Sequence, residues 1–249
     1  MHGIYALSVS GWMLAFVTVL IVGISKTGLP VLGILFAPLF ADVLPSRAST
    51  GALLPLIIMA DIFAILFWRR HGSWKHLVRL FPLAFVGIVA GYFAMGRIND
   101  QQLRYIIGAI VIVMLGVSVY RQYILGIETP LPTSWWFASI AGFLAGATTM
   151  VANAGGPVTM IYLLSMRLPK KQFIGTCAWF FFVVNWIKVP FSLSLRLISG
   201  PSLLFDAVLS VGVVAGALAG LALAHRIPEK GFMIAVQILT LVSGVMMFF

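Results

Sequence analysis

The sequence has few charged residues, and this scarcity excludes a water-soluble domain. Charged residues make up 9% of the 249 residues and hydrophobic residues make up 61%, whereas about a quarter of a typical soluble domain is charged. Apolar runs long enough to cross a bilayer recur along the chain, for example at residues 103–120 and 232–249. Apolar residues occupy odd and even positions of these runs alike, which excludes the alternating pattern of an outer-membrane barrel. We therefore predict an all-α polytopic membrane protein.

Cysteine is almost absent. The single cysteine, Cys177, cannot form an internal disulfide, and it leaves no Cys/His cluster for a metal ion. The chain also has no GxxxxGK[ST] motif, so it has no P-loop for a nucleotide. We accordingly expect no cofactor and no metal.

Acidic residues are scarce as well, with six Asp and Glu against 16 Lys and Arg, which gives a net charge of +10. In a soluble protein this excess would suggest nucleic acid as the partner. Here the basic residues lie in short loops between apolar runs, where they set orientation and contact anionic lipid. We expect the bilayer, and no nucleic acid, as the partner of these residues.

The order of features along the chain occurs twice. "LPSRASTG" at residues 44–51 recurs as "LPKKQFIG" at residues 168–175, an offset of 124 residues. "VGIVAG" at residues 86–91 recurs as "VGVVAG" 125 residues later. Duplicated transporters have a pseudo-symmetry axis and bind substrate near it at mid-membrane. We divide the single membrane domain into a first repeat (1–121), a linker (122–133) and a second repeat (134–249).

Each repeat begins with an apolar segment that glycine and proline interrupt. The first break is "GISKTGLPVLG" at residues 23–33, and the second is "TTMVANAGGP" at residues 148–157. We expect half-helices of roughly 10–15 residues on either side, which are too short to span ~30 Å alone. Three full-length spans should follow in each repeat, at residues 50–68, 77–95, 103–120, 173–195, 203–224 and 231–249.

The distribution of Lys and Arg distinguishes two topologies. If each broken segment is a re-entrant hairpin, ten basic residues lie inside the cell and four outside. If it crosses the membrane, six lie inside and eight outside. The positive-inside rule therefore favours two inverted repeats, each a broken re-entrant hairpin plus three transmembrane helices, with both termini on the outer face.

The first break carries a lysine, Lys26, at membrane depth. One interpretation is that Lys26 binds an anion together with backbone N–H groups at the start of the following half-helix. The alternative is that Lys26 snorkels to the interface or forms a structural ion pair with Asp61. The candidate ligands from this break are Ser25, Lys26, Thr27, Gly28 and Gly33.

The second break has no lysine, because Met150 occupies the position that matches Lys26. An anion site would then be asymmetric, with uncharged donors on this side. These donors could equally serve only to satisfy the backbone of the broken helix. The candidates from this break are Thr149, Asn153, Gly155 and Gly156.

Three further polar residues are predicted within spans. Asp61 is the only acidic residue that we place at this depth, and its match in the second repeat is Asn185. Asp61 could relay protons or serve as a permanent counter-ion to Lys26. Lys188 shares a helix face with Asn185 and could either line the transport path or snorkel outward. We place the histidines in loops or in the N-terminal tail.

The first repeat opens with "GISKTGLPVLG" and continues with "RASTGALLPLIIMADIFA", and the second contains "AGATTMVANAGGP". In these motifs and in its duplication, nearly the whole chain resembles the TauE/SafE family of sulfite exporters and related anion permeases. The resemblance implies transport of small anions, such as sulfite, sulfoacetate or other organosulfonates, across a prokaryotic inner membrane.

We therefore expect a secondary transporter of small anions that works by alternating access between the two repeats, coupled to the proton gradient or the membrane potential. An anion channel is the alternative. A membrane-embedded enzyme is a third hypothesis, against which we count a single intramembrane acid and no intramembrane histidine. The oligomeric state stays open.

Overall fold

The computed structural model describes residues 7–44, 46–95 and 135–246. Within these ranges the regular structure consists of nine α-helices and two short 3₁₀ turns. The predicted span at residues 103–120 and the linker at residues 122–133 lie outside the described residues.

The described helices of the two repeats follow the same order, and the first three pairs differ in length by only one or two residues. The first repeat contains α1 (Val9–Thr27), α2 (Gly33–Ala41), α3 (Ser46–Trp68) and α4 (Trp74–Ala94), with 3₁₀ turns at Pro30–Leu32 and Arg69–His71. The second contains α5 (Trp135–Ala152), α6 (Gly156–Ser165), α7 (Lys170–Ser194), α8 (Gly200–Arg226) and α9 (Glu229–Met246). Six described helices are long and apolar enough to cross a bilayer: α1, α3, α4, α5, α7 and α8. The prediction of a polytopic, all-helical membrane protein is confirmed.

Both broken segments are present, but the breaks are narrower than predicted. Helix α1 continues to Thr27 and α5 continues to Ala152, so Lys26 and Thr149 lie in the last turn of a helix. The arms before the breaks have 19 and 18 residues, and 19 residues extend about 28 Å. The expectation that these two arms are too short to span a bilayer is therefore wrong. The arms after the breaks are short, with 9 residues in α2 and 10 in α6.

Glycines bring two pairs of helices into direct backbone contact. In the α1–α8 pair, a Cβ at Gly23 would overlap Val213, and one at Gly216 would overlap the Leu20 carbonyl. The α4–α5 pair packs in the same way, with close approaches at Gly87, Gly142 and Gly146. Small residues permit such close packing of membrane helices. In both pairs residues further along one helix contact residues further along the other, so each pair runs parallel.

Helices α3 and α7, which match each other in the two repeats, cross in opposite directions. Gly51 in the first part of α3 lies against Leu197, just beyond the end of α7. Arg69, just after α3, accepts a hydrogen bond from Trp179 in the first part of α7. Between these contacts, Asp61 pairs with Asn185, which is 124 residues away and is its repeat match.

The buried apolar residues form two clusters, which we call core A and core B. Core A joins α1, α2, most of α3 and α8, with Phe40, Leu53 and Phe205 among its members. Core B joins chiefly α4, α5, α6, α7 and α9, with the end of α3. Because α8 packs with the first repeat and α4 with the second, each core contains helices from both repeats.

We predict that Gly216→Ala destabilises the protein, because the added methyl group has to displace the Leu20 carbonyl. Overpacking of this kind costs about 1–3 kcal/mol, so the melting temperature of the purified protein in detergent should fall by several degrees. Gly200→Ala is the matched control, since a Cβ there meets no heavy atom within 4 Å. Equal melting temperatures for the two variants would contradict the α1–α8 contact.

Candidate functional site

A cleft lies between core A and core B, and both breaks contribute to its walls. It is narrow and partly open to solvent. On the core A side its walls include Ser25, Lys26, Pro30, Gly33, Phe36 and Ile57. On the core B side they include Thr149, Asn153, Gly156, Cys177, Phe181 and Asn185.

Lys26 forms an ion pair with Asp61. The Lys26 Nζ atom lies 2.9 Å from Asp61 Oδ1, and the exposed fractions of the two side chains are 8% and 0%. The same ammonium lies 4.2 Å from the ring centre of Phe181, a favourable cation–π contact. This geometry supports the counter-ion interpretation of Asp61, while Lys26 still forms part of the cleft wall.

Polar contacts continue from Asp61 to the second break. Asn185 Nδ2 donates to Asp61 Oδ2 at 2.7 Å, and Lys188 Nζ donates to Asn185 Oδ1 at 3.4 Å. Lys188 Nζ also donates to Asn153 Oδ1 at 2.5 Å and to Thr149 Oγ1 at 3.3 Å. Lys188 is 1% exposed, so it points inward and does not snorkel. Two ammonium groups and one carboxylate therefore lie in one connected network.

The second break thus has a positive group beside its uncharged donors. Its positive group, Lys188, comes from α7 and lies 35 residues after Asn153 in the sequence. The repeat gave no indication of this role, because the residue 124 positions before Lys188 is Ala64.

Asn153 connects the two cores. It follows α5 with a positive φ of 53°, a left-handed conformation that Asn adopts more readily than most residues. Its Oδ1 accepts from Lys188 in core B, and its Nδ2 donates to the Thr50 carbonyl in α3 at 3.2 Å. Rearrangement of this one side chain would therefore affect both the cleft and the contact between the cores.

Three of the predicted ligands do not line the cleft. The Thr27 hydroxyl donates to the carbonyls of Ala217 at 2.7 Å and Gly23 at 3.1 Å. Gly28 and Gly155 lie against backbone, where a Cβ would collide with neighbouring groups. The other candidates from the breaks are part of the cleft wall, and they are Ser25, Lys26, Gly33, Thr149, Asn153 and Gly156. Asn185 joins them there, and Asp61 and Lys188 lie directly behind it.

Two placements from the sequence are wrong. Asp61 is not the only acidic residue within a span, because Asp206 lies in α8, is 5% exposed and has no hydrogen-bond partner among the described residues. His76 and His225 lie in helices instead of loops, and His76 Nδ1 is 2.9 Å from the Tyr162 hydroxyl. The segment around His76 is rich in basic residues, as loops between membrane spans often are. Helix α4 nevertheless already begins at Trp74.

The wall of the cleft also contains residues that sequence reasoning missed, among them Pro30, Phe36, Ile57, Cys177 and Phe181. They are ordinary members of apolar runs, so no local signal distinguishes them from other buried residues.

Within the part of the chain that the structure describes, no three His, Cys, Asp or Glu side chains lie together as metal ligands would.

The family model of the sulfite exporter TauE/SafE matches residues 12–247. The chain belongs to the TauE/SafE family. This match confirms the resemblance seen in the motifs of the two breaks, and it identifies the chain as a multi-pass membrane protein of a transporter family. Neither the curated proteins nor the solved structures gave a significant match.

We predict that Asp61→Asn destabilises the protein because it leaves the buried Lys26 ammonium without its counter-ion. Breaking one partner of a buried ion pair costs about 3–5 kcal/mol, and the melting temperature in detergent should fall accordingly. The double variant Lys26→Met/Asp61→Asn removes both charges and should recover most of the loss. A double variant that melts no higher than Asp61→Asn would show that the pair is not what stabilises this site.

Proposed function

We propose that the protein is a secondary transporter of a small anion, sulfite or an organosulfonate such as sulfoacetate, which binds in the cleft between core A and core B. The observation that carries this proposal is the excess of positive charge beside the cleft, where Lys26 and Lys188 face a single carboxylate, Asp61. Electrostatic attraction is strong where water is excluded, so this site favours an anionic solute.

Neutral donors at the cleft suit the oxygen atoms of such an anion. Thr149 and Asn153 line it with a hydroxyl and an amide group, whereas the Ser25 hydroxyl, which also lines it, donates to the Pro30 carbonyl at 3.2 Å. Gly33 and Gly156 also line it and are the first residues of α2 and α6. The N-terminal ends of two short helices therefore lie at the cleft, and the positive ends of their dipoles favour an anion there. Phe36 and Ile57 offer apolar surface for the carbon atoms of an organosulfonate.

We propose that the two repeats are inverted and that each broken segment is a re-entrant hairpin. Trp68 Nε1, at the end of α3, donates to the Thr27 carbonyl, at the end of α1. The C-terminal ends of α1 and α3 thus lie side by side. Because both helices run toward this point, the chain has to reverse direction between them, and α2 lies on the return path. The opposite directions of α3 and α7 support inversion, because these helices match each other in the repeats.

Alternating access would then take place between the cores, since both cores draw helices from both repeats. Two hydrogen bonds between them, Asp61–Asn185 and Asn153–Thr50, would break or shift when the cleft changes the side to which it opens. The proton gradient or the membrane potential supplies the driving force. We place the protein in the inner membrane with both termini on the outer face.

We expect proteoliposomes that contain the purified protein to accumulate labelled sulfite or sulfoacetate only when a proton gradient or a membrane potential is imposed. The initial rate should saturate with substrate concentration, because each transport cycle carries a bound anion. Protein-free liposomes are the control. Flux that is linear in concentration and indifferent to the gradient would identify a channel, and a new chemical product would identify an enzyme.

We also expect Thr149→Val to weaken anion binding roughly 3–10-fold, the typical effect of one lost hydrogen bond. The measurement is titration calorimetry of the purified protein with sulfite or sulfoacetate. Thr148→Val is a closely matched control, because its hydroxyl donates to the Leu144 carbonyl at 2.7 Å within the same helix, away from the cleft. Equal affinities for the two variants would exclude the Thr149 hydroxyl from the site.

A further inference from the structure

The two buried lysines beside the cleft differ in what surrounds their ammonium groups. Lys26 has a carboxylate at 2.9 Å, and this carboxylate, Asp61, is itself fully buried. Lys188 donates only to neutral oxygens, which belong to Asn153, Thr149 and Asn185. Among the described residues, no carboxylate lies within ion-pair distance of Lys188.

A buried ammonium without a counter-ion is unstable in a membrane interior, because neutral oxygens replace only part of its hydration. The charge of Lys26 is already compensated, since Asp61 has no other cation as close. The uncompensated positive charge beside the cleft therefore belongs to Lys188.

We propose that Lys188, and not Lys26, supplies the positive charge that binds the transported anion. This inference rests on the proposed function of the cleft. Lys26 and Asp61 then act as a neutral pair that joins the end of α1 to α3, and the anion interacts with the second break more strongly than with the first.

The position of Lys188 suits this role. Each of the three residues that accept from its Nζ, namely Thr149, Asn153 and Asn185, lines the cleft. Only this single layer of side chains separates the ammonium from a solute in the cleft. An anion oxygen that replaces Asn153 Oδ1 as the acceptor would restore full charge compensation, and it would release the amide that also holds Thr50.

Three proteins test the assignment by titration with sulfite and sulfoacetate in detergent: the wild type, Lys188→Met, and the charge-neutral double variant Lys26→Met/Asp61→Asn. We expect Lys188→Met to lose affinity on the order of 100-fold, as removal of a nearby charge in a poorly screened site implies. The double variant removes a compensated pair and should therefore lose less affinity than Lys188→Met.

Two controls separate a loss of charge from a loss of fold. Lys188→Arg keeps the positive charge and should bind more tightly than Lys188→Met. Without added anion, Lys188→Met should melt at or above the wild-type temperature, because it removes an uncompensated buried charge. Added sulfite should raise the melting temperature of the wild type and leave that of Lys188→Met unchanged.

The outcomes are distinguishable. If the wild type binds neither sulfite nor sulfoacetate, the proposed function and this inference both fail. If the wild type binds and Lys188→Met binds equally well, only the inference fails. Loss of binding in the double variant, equal to or greater than that in Lys188→Met, would return the role of anion ligand to Lys26.

Discussion

Charge buried within a bilayer has to be compensated inside the protein, because the lipid chains supply neither water nor counter-ions. The structure meets this requirement with one network. Lys26 is compensated by Asp61, and Asn185 carries the contact on to Lys188, whose remaining partners come from the second break. The network obtains its polar partners from the breaks and from the crossing of α3 with α7, and the cleft lies beside them.

Backbone contact at glycine determines how the helices around this network are grouped. The α1–α8 and α4–α5 pairs approach too closely for any side chain at the contact points, so each pair is a stiff unit. Each unit combines a broken helix from one repeat with a full-length helix from the other. The alternating access that we propose would leave these two pairs intact and would change the contacts between α3 and α7, where Gly51 also lies against the backbone of Leu197.

The parts of this architecture that can be predicted are those marked by short stretches of sequence. Long apolar runs indicate the spans, and glycine with proline indicates both breaks, so the helical membrane fold and most residues of the cleft could be identified in advance. The offset of 124 residues relates Asp61 to Asn185, but their contact depends on how α3 crosses α7. The true lengths of α1 and α5, the inward position of Lys188 and the division into two cores depend on contacts between distant segments, which no single window of sequence contains.

The contact between Asp61 and Asn185 bears on the origin of the chain. Two identical half-length subunits related by a twofold axis would place the same residue on both sides of this contact. Two aspartates only 2.7 Å apart would repel unless they shared a proton, and two asparagines would provide no charge for Lys26. In a single chain the two positions can differ, so one negative charge can be kept at this contact.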